Sequence, residues 1–154
     1  MKQSTLRRLL FTIVGLFGIL SLSSCGYNTM VDLDEQVQSQ WAQVENVYQR
    51  RADLIPNLVA SVKGAAKHEE QTLTRVIEAR ANATSIKVDP DKLTPENIQK
   101  YQQAQGELSS ALGRLMMVTE NYPQLKANQN FLELQAEISG TENRISVERR
   151  KFNE

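Results

Sequence analysis

Apolar residues recur at helical spacing along the chain, beginning near position 30. The first stripe advances by three or four residues, through Met30, Leu33, Val37, Trp41, Val44 and Tyr48. Steps of this size place side chains on one face of an α-helix. Acidic residues near the start of the stripe and Arg50-Arg51 near its end suit the helix dipole. The pattern therefore predicts a first helix over residues 31–52.

A second apolar stripe begins at Ile55 and ends near Ala83. Between the two stripes, Asp53 can cap a helix start, and Pro56 falls in a first turn, where its missing N–H costs little. We therefore expect one helix to stop here and a second to begin. A continuous helix kinked at Pro56 is the alternative.

A proline-containing segment over residues 84–95 is the one clear loop. Thr94 is placed to cap a third helix, which has Pro95 as its first residue and ends near Glu120. Within this helix, Gln105 is a polar residue on the apolar face. The loop therefore separates two helical segments of the same domain.

A fourth helix has the most regular repeat, with apolar residues every seven positions: Phe131, Ile138, Ile145 and Phe152. The helical pattern still holds at Glu154, without a Gly or Asn cap, which would fit a truncated gene product. Four such segments with mostly short connections predict an all-α fold. We expect an antiparallel up-and-down four-helix bundle with long helices, formed by residues 31–154.

The N-terminus is typical of an export signal. Basic residues precede an uncharged apolar run over positions 9–22, which is shorter than the roughly 20 residues of a membrane-spanning helix. The run ends in Leu22-Ser23-Ser24-Cys25, which resembles a bacterial lipobox. We therefore expect residues 1–24 to be a lipoprotein signal peptide and residues 25–30 a lipidated tether. An uncleaved membrane anchor with an inert cysteine is the alternative.

Lipidation of Cys25 would hold the protein at a membrane, facing the periplasm or the cell exterior. In the family of lipobox signals, the cysteine thiol receives a diacylglyceryl group, commonly with palmitate-type acyl chains, before cleavage. Two or three acyl chains suffice for stable anchoring. Gly26 stands where an Asp would resemble an inner-membrane retention signal, so outer-membrane sorting is expected if the source has an outer membrane.

Charge argues against nucleic acid as a partner. The whole chain has 18 basic and 18 acidic residues, but three of the basic ones lie in the first eight positions. The mature part is therefore mildly acidic, whereas nucleic-acid binding needs a basic surface. The single cysteine also excludes an internal disulfide.

Candidate catalytic residues are few. His68 is the only histidine, and it lacks the Glu-x-x-His spacing and the second histidine of a dimetal bundle site. There is no Gly-rich phosphate loop, and Cys25 is assigned to the anchor. The sequence therefore predicts neither an enzyme nor a cofactor, and a surface histidine is the expected role for His68.

Polar residues next to the apolar stripes form the remaining candidate set. They are Asn46, Arg50, Arg51, Asp53 and Asn57 in the first half, and Asn128, Asn130, Glu142, Asn143 and Arg144 in the last helix. Polar groups inside a bundle are costly unless paired. We expect cross-helix hydrogen bonds and salt bridges, with a binding site as the alternative.

Several ordered blocks resemble the LemA family of bacteria over nearly all of residues 27–154. They include Val31-Asp32-Leu33-Asp34-Glu35, Trp41-Ala42-Gln43-Val44-Glu45-Asn46, Arg50-Arg51-Ala52-Asp53-Leu54-Ile55-Pro56-Asn57-Leu58-Val59, Tyr122-Pro123-Gln124-Leu125 and Thr141-Glu142-Asn143-Arg144-Ile145. The resemblance implies a membrane-held four-helix bundle outside the cytoplasm, without established enzymatic activity.

The resemblance also hints at partners, because such proteins are often found near membrane proteases or other envelope proteins. Two functions are therefore expected. The first is an adaptor or scaffold for another envelope protein, such as a membrane protease. The second is a structural lipoprotein that self-associates as a homo-oligomer.

Overall fold

The structure is a computed structural model that describes the backbone of residues 2–154 and the side chains of Arg7 and of residues 29–154. Over this range the chain forms five α-helices, with no strand: α1 Lys2–Ala65, α2 Glu70–Ser85, α3 Pro95–Thr119, α4 Pro123–Lys126 and α5 Gln129–Asn153. A short 3₁₀ helix, Pro90–Lys92, lies in the connection between α2 and α3. The prediction of an all-α fold is confirmed.

The chain divides into two compact units, Met1–Ser39 and Gln40–Glu154. The predictions of a signal peptide and of lipidation at Cys25 concern side chains outside the described residues. Among the side chains that are described, no helix combines the length and the apolar character needed to cross a membrane.

The predicted break at Asp53 and Pro56 is wrong. Helix α1 continues through both positions and ends only at Ala65. The second helix accordingly begins at Glu70 instead of position 53. The alternative of a helix that continues through the proline is the one found.

Arg80 supplies the physical reason why α1 tolerates Pro56. A proline has no N–H, so the carbonyl of the residue four positions earlier loses its helical partner. That carbonyl belongs to Ala52, and the Arg80 Nε–H on α2 donates a hydrogen bond to it at 2.7 Å. Continuing the helix also keeps Ile55 and Leu58 buried. A side chain from another helix therefore replaces the missing backbone donor.

The turn between α1 and α2 lies at residues 66–69. The backbone N–H of Ala66 still donates to the carbonyl of Val62 at 2.8 Å, and the N–H of Glu69 donates to the carbonyl of Ala66 at 3.1 Å. The Tyr122 hydroxyl then donates to the Glu69 carboxylate at 3.0 Å. This contact joins the turn to the segment before α4.

Side chains cap the starts of α3 and α5. The Thr94 hydroxyl accepts a hydrogen bond from the backbone N–H of Asn97 at 3.3 Å, so the predicted start of α3 at Pro95 is confirmed. Asn128 caps α5 in the same way by accepting from the N–H of Phe131 at 3.3 Å. Asn128 therefore serves its own helix and makes no cross-helix contact of the predicted kind.

The core of Gln40–Glu154 consists of two apolar clusters. The larger joins α1, α2, α3 and α5 and includes Ile55, Leu58, Val76, Leu108, Leu115 and Phe131. The smaller one contains Trp41, Val44, Tyr48, Val88, Tyr101 and Ile145. Trp41, Val44 and Tyr48, which belong to the first apolar stripe of the sequence, are all buried, as their helical spacing predicts.

Candidate functional site

Arg51 is the charged residue on which the polar interior of the second unit is built. Its side chain is 0% exposed, although it carries a positive charge. One guanidinium nitrogen, Nη1, donates to the Ser109 hydroxyl at 2.6 Å and also to the Glu142 carboxylate. The other, Nη2, donates to the side-chain oxygen of Gln105 at 2.7 Å and to its backbone carbonyl at 3.1 Å.

The partners of Arg51 extend the contact to a fourth helix. The Gln105 side-chain amide donates to the carbonyl of Ala83, on α2, at 3.4 Å. Ser109 donates to Glu142 at 3.1 Å, which closes a triangle around the guanidinium. We name Arg51, Gln105, Ser109 and Glu142 the Arg51 network. It links α1, α2, α3 and α5 through side chains.

Aromatic rings form one wall of the Arg51 network. The guanidinium carbon of Arg51 lies 5.2 Å from the ring centroid of Tyr48, within the range of a cation–π interaction. Tyr48 meets Tyr101 edge to face with ring centroids 5.4 Å apart, and Tyr101 meets Trp41 in the same way at 5.3 Å. Burial raises the pKa of Tyr101 and of Tyr48, so both phenols are neutral at physiological pH.

The positive charge of Arg51 is paired with the Glu142 carboxylate. A buried cation costs several kcal/mol unless it is paired and hydrogen-bonded, and among the described residues Glu142 supplies the only formal negative charge bonded to it. The Glu142 side chain is 40% exposed, so the pair reaches the surface on one side. The Arg51 Nε is buried without a hydrogen-bond partner among the described residues.

Arg50, next to Arg51, points to the surface. Its Nη2 donates to the Glu137 carboxylate on α5 at 2.7 Å, with both side chains well exposed. This ion pair is the cross-helix contact expected of Arg50, but with a partner that the sequence analysis did not name. Asp53 is exposed and accepts a hydrogen bond from Gln49, one turn earlier in the same helix, at 2.8 Å.

The other predicted residues are exposed and do not join the Arg51 network. They are Asn46, Asn57, Asn130, Asn143 and Arg144. Asn57 contributes its backbone carbonyl, which accepts from the Ser61 hydroxyl at 2.9 Å. Of the ten polar candidates, the structure therefore brings only Arg51 and Glu142 together at one buried place.

Asn46 lines a half-open cavity of about 300 Å³ beside the Arg51 network. Its polar lining also includes Glu45, Gln49 and Lys87. Burial raises the pKa of Glu45. The cavity lining therefore includes one acidic and one basic side chain.

No group of His, Cys, Asp and Glu side chains in the described part of the chain could hold a metal ion. His68 lies exposed in the turn between α1 and α2. Neither the acidic and histidine side chains nor the position of His68 therefore supports a catalytic site in the described part of the chain.

The first unit presents a different surface. Met30, Leu33 and Val37 are 73%, 55% and 44% exposed, although they continue the helical spacing of the buried residues downstream. We name these three residues the α1 stripe. Isolated apolar side chains on a surface are ordinary, but a row at helical spacing marks a face for contact with another surface.

Sequence reasoning noted Gln105 as polar on an apolar face but did not assign it to Arg51. It missed Ser109 and Arg80 completely. Ser109 has no sequence signal, because a serine on a helix is unremarkable until its neighbours are known. Arg80 could have been sought, because a proline inside a helix requires a replacement donor for the carbonyl four residues earlier.

The chain has an all-α fold with a buried polar centre, and comparison with models of known families identifies the family of the chain. The model of the LemA family matches residues 40–154, and the chain belongs to that family. The family assignment that the sequence blocks suggested is therefore confirmed.

Two kinds of named relatives are similar to the chain. Protein LemA of Metamycoplasma hominis is 25% identical over 126 residues, which cover 82% of this chain and 54% of that protein. Magnetosome protein MamQ 2 of Paramagnetospirillum magneticum is 26% identical, with 82% and 53% covered. Magnetosome protein MamQ of Magnetospirillum gryphiswaldense is 24% identical, with 94% and 60% covered. The chain spans just over half the length of these relatives.

Proposed function

We propose that the protein is a membrane-anchored, non-enzymatic component of the cell envelope that acts as an adaptor or scaffold for another envelope protein. In this proposal a lipid on Cys25 holds it at the membrane, facing the periplasm or the cell exterior. Membership of the LemA family supports the general setting. A membrane protease is one kind of partner that fits this setting, and nucleic acid is not.

The α1 stripe is the observation that carries the proposal. Three large apolar side chains are exposed within 12 residues of Cys25, on a helix that begins before it. An apolar row of this kind favours contact with a second surface, because burial removes it from water. The partner would therefore meet the protein close to the membrane.

The Arg51 network supports a non-enzymatic role. Arg51, Gln105, Ser109 and Glu142 are bonded to one another, so they are engaged in holding helices together. Catalytic groups need a reactive atom directed at substrate, whereas these groups face each other. The polar centre of the domain is thus better suited to rigidity than to chemistry.

A self-associating structural lipoprotein is the second candidate function. The same α1 stripe favours it, since a row of apolar side chains three and four residues apart also suits a helix from a second copy. The two functions differ in what covers the stripe, and that difference can be measured.

In-cell crosslinking of the tagged protein, followed by purification from membranes and mass spectrometry, separates the two functions. A reproducible second protein at near-equal amount is the expected result. Recovery of this chain crosslinked only to itself would replace the adaptor with the structural role.

Intact mass tests the anchor in the same preparation. The expected species begins at Cys25 and carries acyl chains, and Cys25→Ser should abolish acylation and release the protein from membranes. Cys25→Ala is the matched control for the hydroxyl that serine introduces. A protein that still begins at Met1 would contradict the anchor.

A further inference from the structure

The half-open cavity beside the Arg51 network has walls from three parts of the fold. Helix α1 supplies Glu45 and Asn46, α3 supplies Tyr101, and the segment that follows α2 supplies Lys87. The volume of about 300 Å³ lies at the lower end of the range for small-molecule sites, which is roughly 300–1,000 Å³. The cavity is therefore of a size that suits a small ligand.

Several polar side chains of the cavity wall are already bonded within the protein. Gln105 accepts a hydrogen bond from Arg51 at 2.7 Å, and Gln49 donates one to Asp53 at 2.8 Å. The Thr84 hydroxyl donates to carbonyls of its own helix at 2.9 and 3.2 Å. These three wall residues are therefore engaged in holding the fold together.

Three other polar side chains of the wall, Glu45, Asn46 and Lys87, have no such role. In the described part of the chain neither of the two charged groups forms an ion pair, and the Asn46 amide has no hydrogen-bond partner. Burial raises the pKa of Glu45, so its ionisation at neutral pH opposes folding. An unpaired carboxyl group that lies in a cavity wall at a cost to stability is a candidate functional group.

These three groups complement the parts of one kind of molecule. A carboxylate pairs with an ammonium group, an ammonium group pairs with a carboxylate, and a primary amide both donates and accepts, as a peptide group does. We propose that the cavity binds a short peptide with free ends, with its ammonium group against Glu45, its peptide group on Asn46 and its carboxylate against Lys87. Ile86 and Val88 add apolar wall for the side chains of the peptide. This inference concerns a small ligand and is separate from the proposed adaptor function.

Other occupants match the wall less completely. A singly charged ligand leaves either Glu45 or Lys87 without a partner, and a free amino acid has both charges but no peptide group for Asn46. Glu45 and Lys87 both line the cavity and yet form no ion pair with each other, so the space between them is open to a ligand. A short peptide therefore uses all three groups.

Ligand-observed NMR titration of the full lipidated chain in detergent at pH 7 tests this inference, with dialanine as the probe. N-acetyl-dialanine lacks the ammonium group, and dialanine amide lacks the carboxylate. The expected result is that dialanine binds and that each of the two analogues binds roughly fivefold more weakly, because a partly exposed charge contact contributes little free energy.

Variants of the wall assign each end of the peptide to its residue. Glu45→Gln should bind dialanine and N-acetyl-dialanine almost equally but still bind the amide more weakly, and Lys87→Met should show the reverse pattern. Asn46→Ala should weaken all three ligands alike. Glu35→Gln and Lys100→Met are the matched controls, because both residues are exposed and lie outside the wall. They should bind all three ligands as the unmodified protein does.

Three results would overturn the inference. They are no binding of dialanine at tens of millimolar, equal binding of the three ligands to the unmodified protein, and preferences that persist unchanged in Glu45→Gln and Lys87→Met. The comparison of ligands on the unmodified protein does not depend on the folding of any variant, and thermal unfolding checks that the variants are folded. All three results would leave the adaptor function standing, because that function rests on the α1 stripe.

Discussion

Glu142→Ala removes the carboxylate that is bonded to the buried Arg51. Removing one partner of a fully buried ion pair typically costs about 3–5 kcal/mol, because the other charge stays buried without compensation. Glu142 is 40% exposed, and Arg51 keeps its bonds to Ser109 and Gln105. Both facts reduce the cost, so we expect the free energy of unfolding to fall by about 2–3 kcal/mol.

The matched control is Glu137→Ala, on the same helix. Glu137 also pairs with an arginine of α1, but the Arg50 and Glu137 side chains are 57% and 41% exposed. An exposed pair contributes at most about 1 kcal/mol. For a unit of this size, the melting temperature should fall by roughly 10 °C for Glu142→Ala and by no more than about 4 °C for the control.

Trp41 provides the assay. It is the only tryptophan and is 1% exposed, so its fluorescence changes when the core of Gln40–Glu154 opens. Thermal and urea unfolding of the purified protein would be followed by this signal and by far-UV circular dichroism. Adding Arg51→Met to Glu142→Ala should recover at least half of the lost stability, because the uncompensated charge is then removed.

Two outcomes would refute this reasoning. If Glu142→Ala is no less stable than Glu137→Ala, neutral partners alone satisfy Arg51. If the double variant is less stable than Glu142→Ala, the guanidinium stabilises the core without its carboxylate. A Glu142→Ala protein of unchanged stability that loses an interaction in cells would instead make Glu142 a binding residue.

Three further predictions concern α1 and the buried aromatic cluster. Arg80→Met should destabilise the protein by about 1–3 kcal/mol in urea unfolding, because the Ala52 carbonyl loses its hydrogen-bond donor. Adding Pro56→Ala should reverse much of this loss, because alanine restores a backbone N–H at position 56. If the double variant is no more stable than Arg80→Met, this explanation is wrong. Burial raises the pKa of Tyr101, so the folded state keeps a proton that the unfolded chain releases above about pH 10. The stability of the folded state should therefore fall as the pH rises beyond that point. Tyr101→Phe should reduce this decline of the melting temperature at alkaline pH. Burial also raises the pKa of Glu45, so ionisation of this carboxyl group opposes folding at neutral pH. Glu45→Gln should therefore raise the melting temperature at pH 7 but not at pH 4. An equal gain at both pH values would show that the ionisation of Glu45 is not the cause.

Periodicity was sufficient to predict the all-α fold and much of the core of Gln40–Glu154. The residues at positions 41, 44 and 48, and those at 131, 138 and 145, are buried as their spacing requires. The cap at Thr94 was also predictable, because a threonine before Pro95 has a local role that depends only on neighbouring backbone. Each of these features depends only on residues that are close together in the sequence.

The errors came from contacts across the fold. Asp53 and Pro56 have the local chemistry of a helix break, and only the donor on Arg80, 28 residues from Ala52, makes a continuous helix possible. Arg51, unlike Arg50, continues the apolar stripe three residues after Tyr48, but this signal leads on to Ile55 only if the helix continues through Asp53. The polar candidates were sound as a class, but choosing Arg51 and Glu142 among them requires knowledge of which faces meet.

The position of Glu142 has a consequence for how α5 can slide along α1. Phe131, Ile138, Ile145 and Phe152 repeat every seven residues, so a shift of α5 by seven would present almost the same apolar surface to the core. Such a shift would place Gln135 or Arg149 near the position now held by Glu142. One choice leaves the Arg51 cation without a counter-charge, and the other sets two cations together. The apolar repeat permits several alignments, and a single carboxylate selects one of them.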